Sequence, residues 1–125
     1  MADETPFAAI LRQAVEQLPG AIGGTLAAGD GETVDFHVRG GWRRAEWELL
    51  TAHHGVLFRH VRSWLHTRHY GDPELMVVSH GELHVLLREV ADGYFALLAL
   101  DDAAEILSAS RLLTDAAALL KQEMA

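Results

Sequence analysis

The sequence contains no cysteine, a single lysine (Lys121) and few prolines (3) among its 125 residues. Without cysteine there are no disulfides, thiolate metal sites or cysteine nucleophiles. Lys121 lies near the C-terminal end, so no P-loop can form, because its lysine must reach the phosphates. Nucleotide hydrolysis by this chain alone is therefore not expected. No stretch approaches the ~20 consecutive apolar residues of a membrane helix. The opening "MADETPFAAI" is acidic and lacks the charged-then-apolar build of a signal peptide, so a cytoplasmic protein is expected. Positive charge is scarce as well. A formal net charge of -8 argues against nucleic-acid or anionic-membrane partners, both of which select clustered positive charge.

Half of the residues are apolar (50%), enough for a substantial core, and the length suits one domain spanning 1–125. "TPFAAILRQAVEQL" reads as a helix with Thr5 as its cap and Pro6 in its first turn. Phe7, Ile10, Leu11, Ala14, Val15 and Leu18 lie on one stripe. "AIGGTLAA" and "ETVDFHVRG" flank the turn "GDG" as a β-hairpin. In its second strand Val34, Phe36 and Val38 point inward, and Thr33, Asp35, His37 and Arg39 outward. Gly23 and Gly24 mark a close approach in the first strand. A helix of more than twenty residues then runs from Trp42 or Arg43 to about His69.

Three further strands follow: "ELMVVS", "HVLLREV" and "YFALLAL". The last is almost wholly apolar and is expected at the sheet centre, covered on both faces. The final helix begins at Asp102, which stands at capping-box spacing from Glu105. Its inner stripe is Ile106, Ser110, Leu113, Ala117, Leu120 and Met124. The order α-β-β-α-β-β-β-α, with short turns between strands, predicts an α+β fold. It has three layers, α/β/α, around a five-stranded, mostly antiparallel sheet.

No catalytic arrangement stands out. "PGAIGGTLAAGDG" leads into an alternating strand rather than a helix, so it is not a dinucleotide fingerprint. Ser79, His80 and Glu82 lack the strained elbow of a nucleophilic serine. Asp101 and Asp102 are explained by a helix N-terminus. No cofactor is expected.

The segment "HHGVLFRHVRSWLHTRH", residues 53–69, holds five of the eight histidines and no acidic residue. His53 and His60 are seven residues apart, about 10 Å along a helix axis, so one ion cannot bind both. His66 and His69 lie where the helix ends, and His80 and His84 straddle a turn. No metal site is expected within the chain, although a histidine-rich metal-binding protein, with ligands completed by a second subunit, stays open as an alternative.

On a helical wheel, Trp47, Leu50, His54, Leu57, Phe58, Val61, Trp64 and Leu65 form one broad face, with Leu57, Val61, Trp64 and Leu65 expected to hold the sheet. Leu49, His53, Val56 and His60 extend that face, giving an arc of roughly 200° where one core needs about 100°. The opposite arc holds Arg44, Glu48, Gly55, Arg59, Arg62 and His66. The surplus apolar arc points to a second copy of the chain. The strand Leu75, Met76, Val77, Val78, Ser79 supports this. Should it lie at the sheet edge, nothing in it guards against pairing with its counterpart. Protonation of histidines near such a two-fold is expected to loosen the dimer in mild acid.

Taken together, the opening helix, "LPGAIGGTLAAGDGETV", the long middle helix and "VVSHGELHVLLREVADGYFALLAL" resemble the roadblock / dynein light chain family in its bacterial branch. The resemblance covers nearly the whole chain. It implies a roadblock/profilin-like fold with the first and last helices on one face of the sheet and the middle helix on the other. It also implies a homodimer joined through third strands and middle helices, and a non-enzymatic role beside a small Ras-like GTPase, as scaffold or activator. Carried over, the docking surface would be Arg44, Glu48, Arg59, Arg62 and His66. The alternative from another class is a PAS- or GAF-like sensory domain, which requires a cavity between sheet and middle helix lined by the aromatics and His54.

Overall fold

The computed structural model describes residues 4–125; residues 1–3 of the acidic opening segment lie outside them. Helix α1 (Pro6–Glu16) starts as the sequence dictates. The Thr5 hydroxyl oxygen accepts a hydrogen bond from the Ala8 N–H at 3.0 Å, satisfying one otherwise orphaned donor. Strands β1 (Ala21–Ala27) and β2 (Thr33–Val38) form the hairpin, and α2 (Arg44–Thr67) is the long middle helix. Strands β3 (Met76–Ser79), β4 (His84–Ala91) and β5 (Tyr94–Leu100) follow in a meander. A single 3-10 turn (Ala103–Glu105) then leads into α3 (Ile106–Met124).

The five strands make one sheet in the order β2-β1-β5-β4-β3, with every neighbouring pair antiparallel. The apolar β5 is the central strand, as its composition predicts. Helices α1 and α3 bury Leu11, Val15, Leu113 and Leu120 against Leu26, Leu86 and Leu98 on one face. On the other face α2 lays Trp47 and Phe58 against Val85, Leu87, Phe95 and Leu97. The α+β, three-layer arrangement is therefore as expected, and the sheet is antiparallel throughout.

Three local readings are corrected. Val34 does not point into the core but is 46% exposed, because β2 is an outer strand and only Phe36 and Val38 of that face reach the α2 core. The supposedly outward Asp35 faces α1, where its carboxylate accepts the Thr5 hydroxyl, and Arg39 donates to the carbonyl oxygens of Leu18 and Ala21 at 3.3 Å. α-Helical geometry in α3 begins at Ile106 rather than at Asp102. Its capping position is occupied by Glu105, whose side chain makes no cap bond.

The largest correction is the rotation of α2. Its sheet-facing residues are Trp47, Thr51, His54, Gly55 and Phe58. Leu57 and Trp64, expected on the sheet, are 47% and 51% exposed, and Val61 is exposed too. Gly55, assigned to solvent, is buried. A Cβ there would lie 2.8 Å from the Phe95 ring, so only glycine allows the helix to come this close. Gly23 plays the complementary part on β1, where a Cβ would stand 2.9 Å from the Trp47 ring. The approach seats the Trp47 indole between helix and sheet. Its Nε1–H donates to the Thr25 hydroxyl oxygen at 2.6 Å, and the Thr25 and Thr51 hydroxyls lie 3.2 Å apart. All three residues are fully buried, so this polar contact is satisfied within the core.

Candidate functional site

With Trp47, Thr51, Gly55 and Phe58 facing the sheet, the apolar residues left over on α2 face away from it. Leu49 (59% exposed), Val56, Leu57, Val61 and Trp64 run along one side of the helix, with the exposed His53 and His60 set among them. A run of this kind on one element exceeds the scattered single hydrophobics of an ordinary surface. At its C-terminal end the Arg68 guanidinium lies 4.1 Å from the centre of the Trp64 ring, and Tyr70 stacks near Trp64. Leu57 and Trp64 thus join Leu49, His53, Val56 and His60 in the candidate interface.

Strand β3 lies at the sheet edge, bonded to β4 on one side only. Its side chains divide by pleat. Met76 packs into the α2 core and Leu75 into the opposite one, Val78 is half-buried, and Val77 and Ser79 are exposed. The free edge and the apolar side of α2 are the two surfaces the sequence assigns to a second copy.

The five residues proposed as a docking surface fall into two kinds. Arg44 is paired with Glu48 at 2.6 Å across one helical turn. Arg62 is half-buried and reaches back to the sheet, 2.5 Å from Glu89 and 3.7 Å from Asp72. Arg59 and His66 are exposed and make no ion pair among the described residues. Arg62 therefore ties α2 to β4 instead of presenting its charge outward. The partner was legible in principle: Glu89 continues the every-second-residue series of the core-facing Val85 and Leu87, which places it on the α2 side of β4.

A pair formed by the buried His54 and the exposed His80 escaped the sequence reading altogether. His54 Nδ1 lies 2.8 Å from the Leu50 carbonyl oxygen, which makes Nδ1 the protonated nitrogen and Nε2 an acceptor. That Nε2 lies 2.9 Å from Nε2 of His80, in the turn after β3, so His80 is the donor. The ring centroids are 5.1 Å apart, close to the largest separation that the nitrogen distance and two ring radii allow. The nitrogens therefore face each other end-on, as in a hydrogen bond, and do not converge on a third point where an ion would sit. Among the described residues, no three His, Asp or Glu side chains gather to hold a metal. On the far face of the sheet, His84 Nδ1 lies 2.9 Å from the Ser79 hydroxyl.

Burial is the main reason the His54 pKa lies below the ordinary histidine value. The bond to Leu50 opposes this, and His80 and His53 add to it. Unfolded, His54 takes a proton as pH falls through about 6.5, whereas the folded protein resists until lower pH. Its contribution to stability is therefore complete above that value and declines below it. The urea midpoint is expected to fall between pH 7.5 and 5.5 in the wild type and to fall less in His54→Gln. Parallel losses in the two proteins would assign the effect to other groups.

Beside the aromatics of α2 there is little room for a sensory ligand; a wider open groove of about 560 Å³ between α2 and the β1–β2 turn is lined by Glu32, Arg44, Glu48 and Leu49, not by those aromatics or His54. The cleft between α2 and the sheet beside Phe58 and Phe95 holds about 70 Å³, while small-molecule pockets begin at about 300 Å³. Among the described residues no helix is long and apolar enough to cross a membrane.

No family model and no curated protein matches the sequence. Solved structures do match. The Roadblock/LC7 domain from Streptomyces avermitilis superposes with a TM-score of 0.79 at 16% identity, over 93% of this chain and 95% of that one. The gliding protein MglB from Thermus thermophilus gives a TM-score of 0.83 at 11% identity, over 100% and 96%. MglC from Myxococcus xanthus gives 0.72 at 21% identity, over 95% and 99%. At these identities the likeness is one of fold, and it is the fold the sequence resemblance implies.

Proposed function

We propose that this chain, whose fold is that of the Roadblock/LC7 domains, is a non-enzymatic module of residues 1–125 that self-associates and binds and regulates a small Ras-like GTPase in the cytoplasm. The observation that carries the reading is the apolar side of α2 lying exposed beside an unpaired edge strand. Surfaces of this kind bury against protein, and the cleft beside Phe58 and Phe95 is too small for a metabolite. Support for self-association includes the MglB structure with a tetrameric arrangement, which matches at a TM-score of 0.83 and 11% identity. The GTPase partner follows from the family resemblance of the sequence.

Of the proposed docking residues, Arg59 and His66 are available to a partner, whereas Arg62→Glu would set a carboxylate against Glu89 and disturb the α2–β4 contact itself. The discriminating variant is therefore Arg59→Glu with His66→Glu. It is expected to weaken binding to a small Ras-like GTPase recovered with this protein from the native cytoplasm and loaded with GDP or a non-hydrolysable GTP analogue, by about tenfold or more, since arginines are frequent interface hot spots. Thermal stability and self-association should not change. Full binding by this variant would remove that surface from the docking site.

A further inference from the structure

The turn between β3 and β4 is tied to α2 by a polar contact. His80, the first residue after β3, reaches across to His54, and their Nε2 atoms lie 2.9 Å apart. Strand β3 itself is weakly anchored. It is 4 residues long, pairs with β4 alone and lies at the sheet edge. The turn closes through the His80 N–H, which donates to the Leu83 carbonyl oxygen at 2.7 Å, and Gly81 supplies the positive φ of 80°. Leu83 packs toward the α2 core, whereas His80 is exposed. The contact thus joins a buried ring on a long helix to an exposed ring on a short edge hairpin. We propose that the His54–His80 bond is a proton-operated latch, which fastens the β3–β4 turn to α2 at neutral pH and releases it in mild acid while the rest of the domain stays folded. The latch belongs to the single chain and does not depend on a partner.

The bond exists because His54 Nε2 is a bare acceptor. Nδ1 carries the ring hydrogen and is committed to the Leu50 carbonyl oxygen at 2.8 Å, so a proton added to His54 must go on Nε2. Two N–H groups then face each other. The bond could be rescued only if His80 gave up its own Nε2 hydrogen, and the rescued form would still bury a cation on His54. Burial already holds the His54 pKa below the ordinary histidine value, and His80 and His53 add to the effect. Once the turn lifts, water reaches Nε2 and the ring titrates near the ordinary value of about 6.5. The closed form refuses a proton that the open form takes, so acid favours the open form.

The surrounding groups supply no counter-charge. The titratable neighbours acting on His54 are His80 and His53, and both oppose its protonation. On α2, Arg59 is a further cation. Glu82, in the turn, is exposed and forms no ion pair among the described residues. On this side of the sheet Met76, Val78, Val85 and Leu87 carry no charge, and Glu89 is committed to Arg62 at 2.5 Å. His84 braces the same hairpin from the far face through Ser79.

Amide hydrogen exchange of the full chain at pH 7.5 and 5.5, read by NMR and corrected for the intrinsic effect of pH, tests the latch. In the wild type, protection of the amides of residues 76–83 should fall about tenfold between the two values, the factor that one withheld proton gives over this range. The fall should be the same with and without about 1 M urea, because a local opening exposes little surface and global unfolding exposes much. His80→Ala removes the donor from an exposed position and should lose this protection already at pH 7.5. His54→Gln keeps an acceptor that takes no proton, and should be protected equally at both values. Equal protection at both values in the wild type, an unchanged turn in His80→Ala, or a full pH response in His54→Gln, which would assign it to His84, would each overturn the latch. A response that grows with urea would make the opening global and overturn it as well.

Discussion

Trp47→Ala is expected to cost about 3–5 kcal/mol of folding stability, the range for removing a large aromatic from a packed core. For a domain of this size that is a large part of the whole margin, since folded domains hold only about 5–15 kcal/mol. The indole is fully buried, pressed against Gly23 and flanked by the edge of Trp42, with ring centroids 5.5 Å apart. Neither the helix nor the sheet can close the space left behind without breaking the Gly55–Phe95 approach. Trp47→Phe separates shape from hydrogen bonding. It keeps an aromatic ring and removes the donor to Thr25, whose hydroxyl keeps Thr51 as a partner, so its loss should be smaller, about 1–2 kcal/mol. Urea denaturation of both variants at pH 7.5 measures the difference. Equal losses would show that the indole N–H, rather than the ring volume, dominates.

Val56→Glu is expected to abolish self-association at micromolar concentration, a loss of at least about 4 kcal/mol or roughly a thousandfold. Val56 is exposed in the single chain, so the substitution leaves the fold intact. In a contact between the exposed sides of two α2 helices, however, each new carboxylate would be buried among apolar side chains without a cation. Val77→Lys tests the strand half of the same interface. Val77 is 40% exposed on the edge strand β3, and a lysine there is the usual guard against strand pairing. Light scattering at several concentrations reads both. Unchanged association in Val56→Glu would move the contact off α2, and unchanged association in Val77→Lys would confine it to the helix.

These two predictions concern one helix, and in that helix the sequence and the tertiary structure divide the information. Elsewhere local pattern sufficed. The Thr5 cap, the α1 stripe, the hairpin, the central placement of Tyr94–Leu100 and the order of all the strands and helices follow from periodicity, turn residues and the apolar run. Each of these is governed by groups within a few residues of one another. The two helices on the first face also obey their wheels, because each has a single narrow stripe to bury.

Helix α2 offers more apolar arc than one sheet can cover, so hydrophobicity alone does not say which sector turns inward. A wheel centred on the most apolar residues puts Leu57, Val61 and Trp64 on the sheet. The fold instead turns inward the sector that allows close approach, through Gly55 and Thr51, residues that no hydrophobicity ranking selects. The same holds for the two contacts that redefine the candidate site. His54 meets His80 and Arg62 meets Glu89, pairs separated by 26 and 27 positions and brought together by the sheet alone. What the sequence determined by itself is the set of elements, the unguarded composition of β3 and the surplus of apolar surface on α2, since these depend on composition and near-neighbour spacing. The rotation of α2, and with it which side chains remain free for a second copy and which arginines remain free for a partner, was decided by packing against residues distant in the chain.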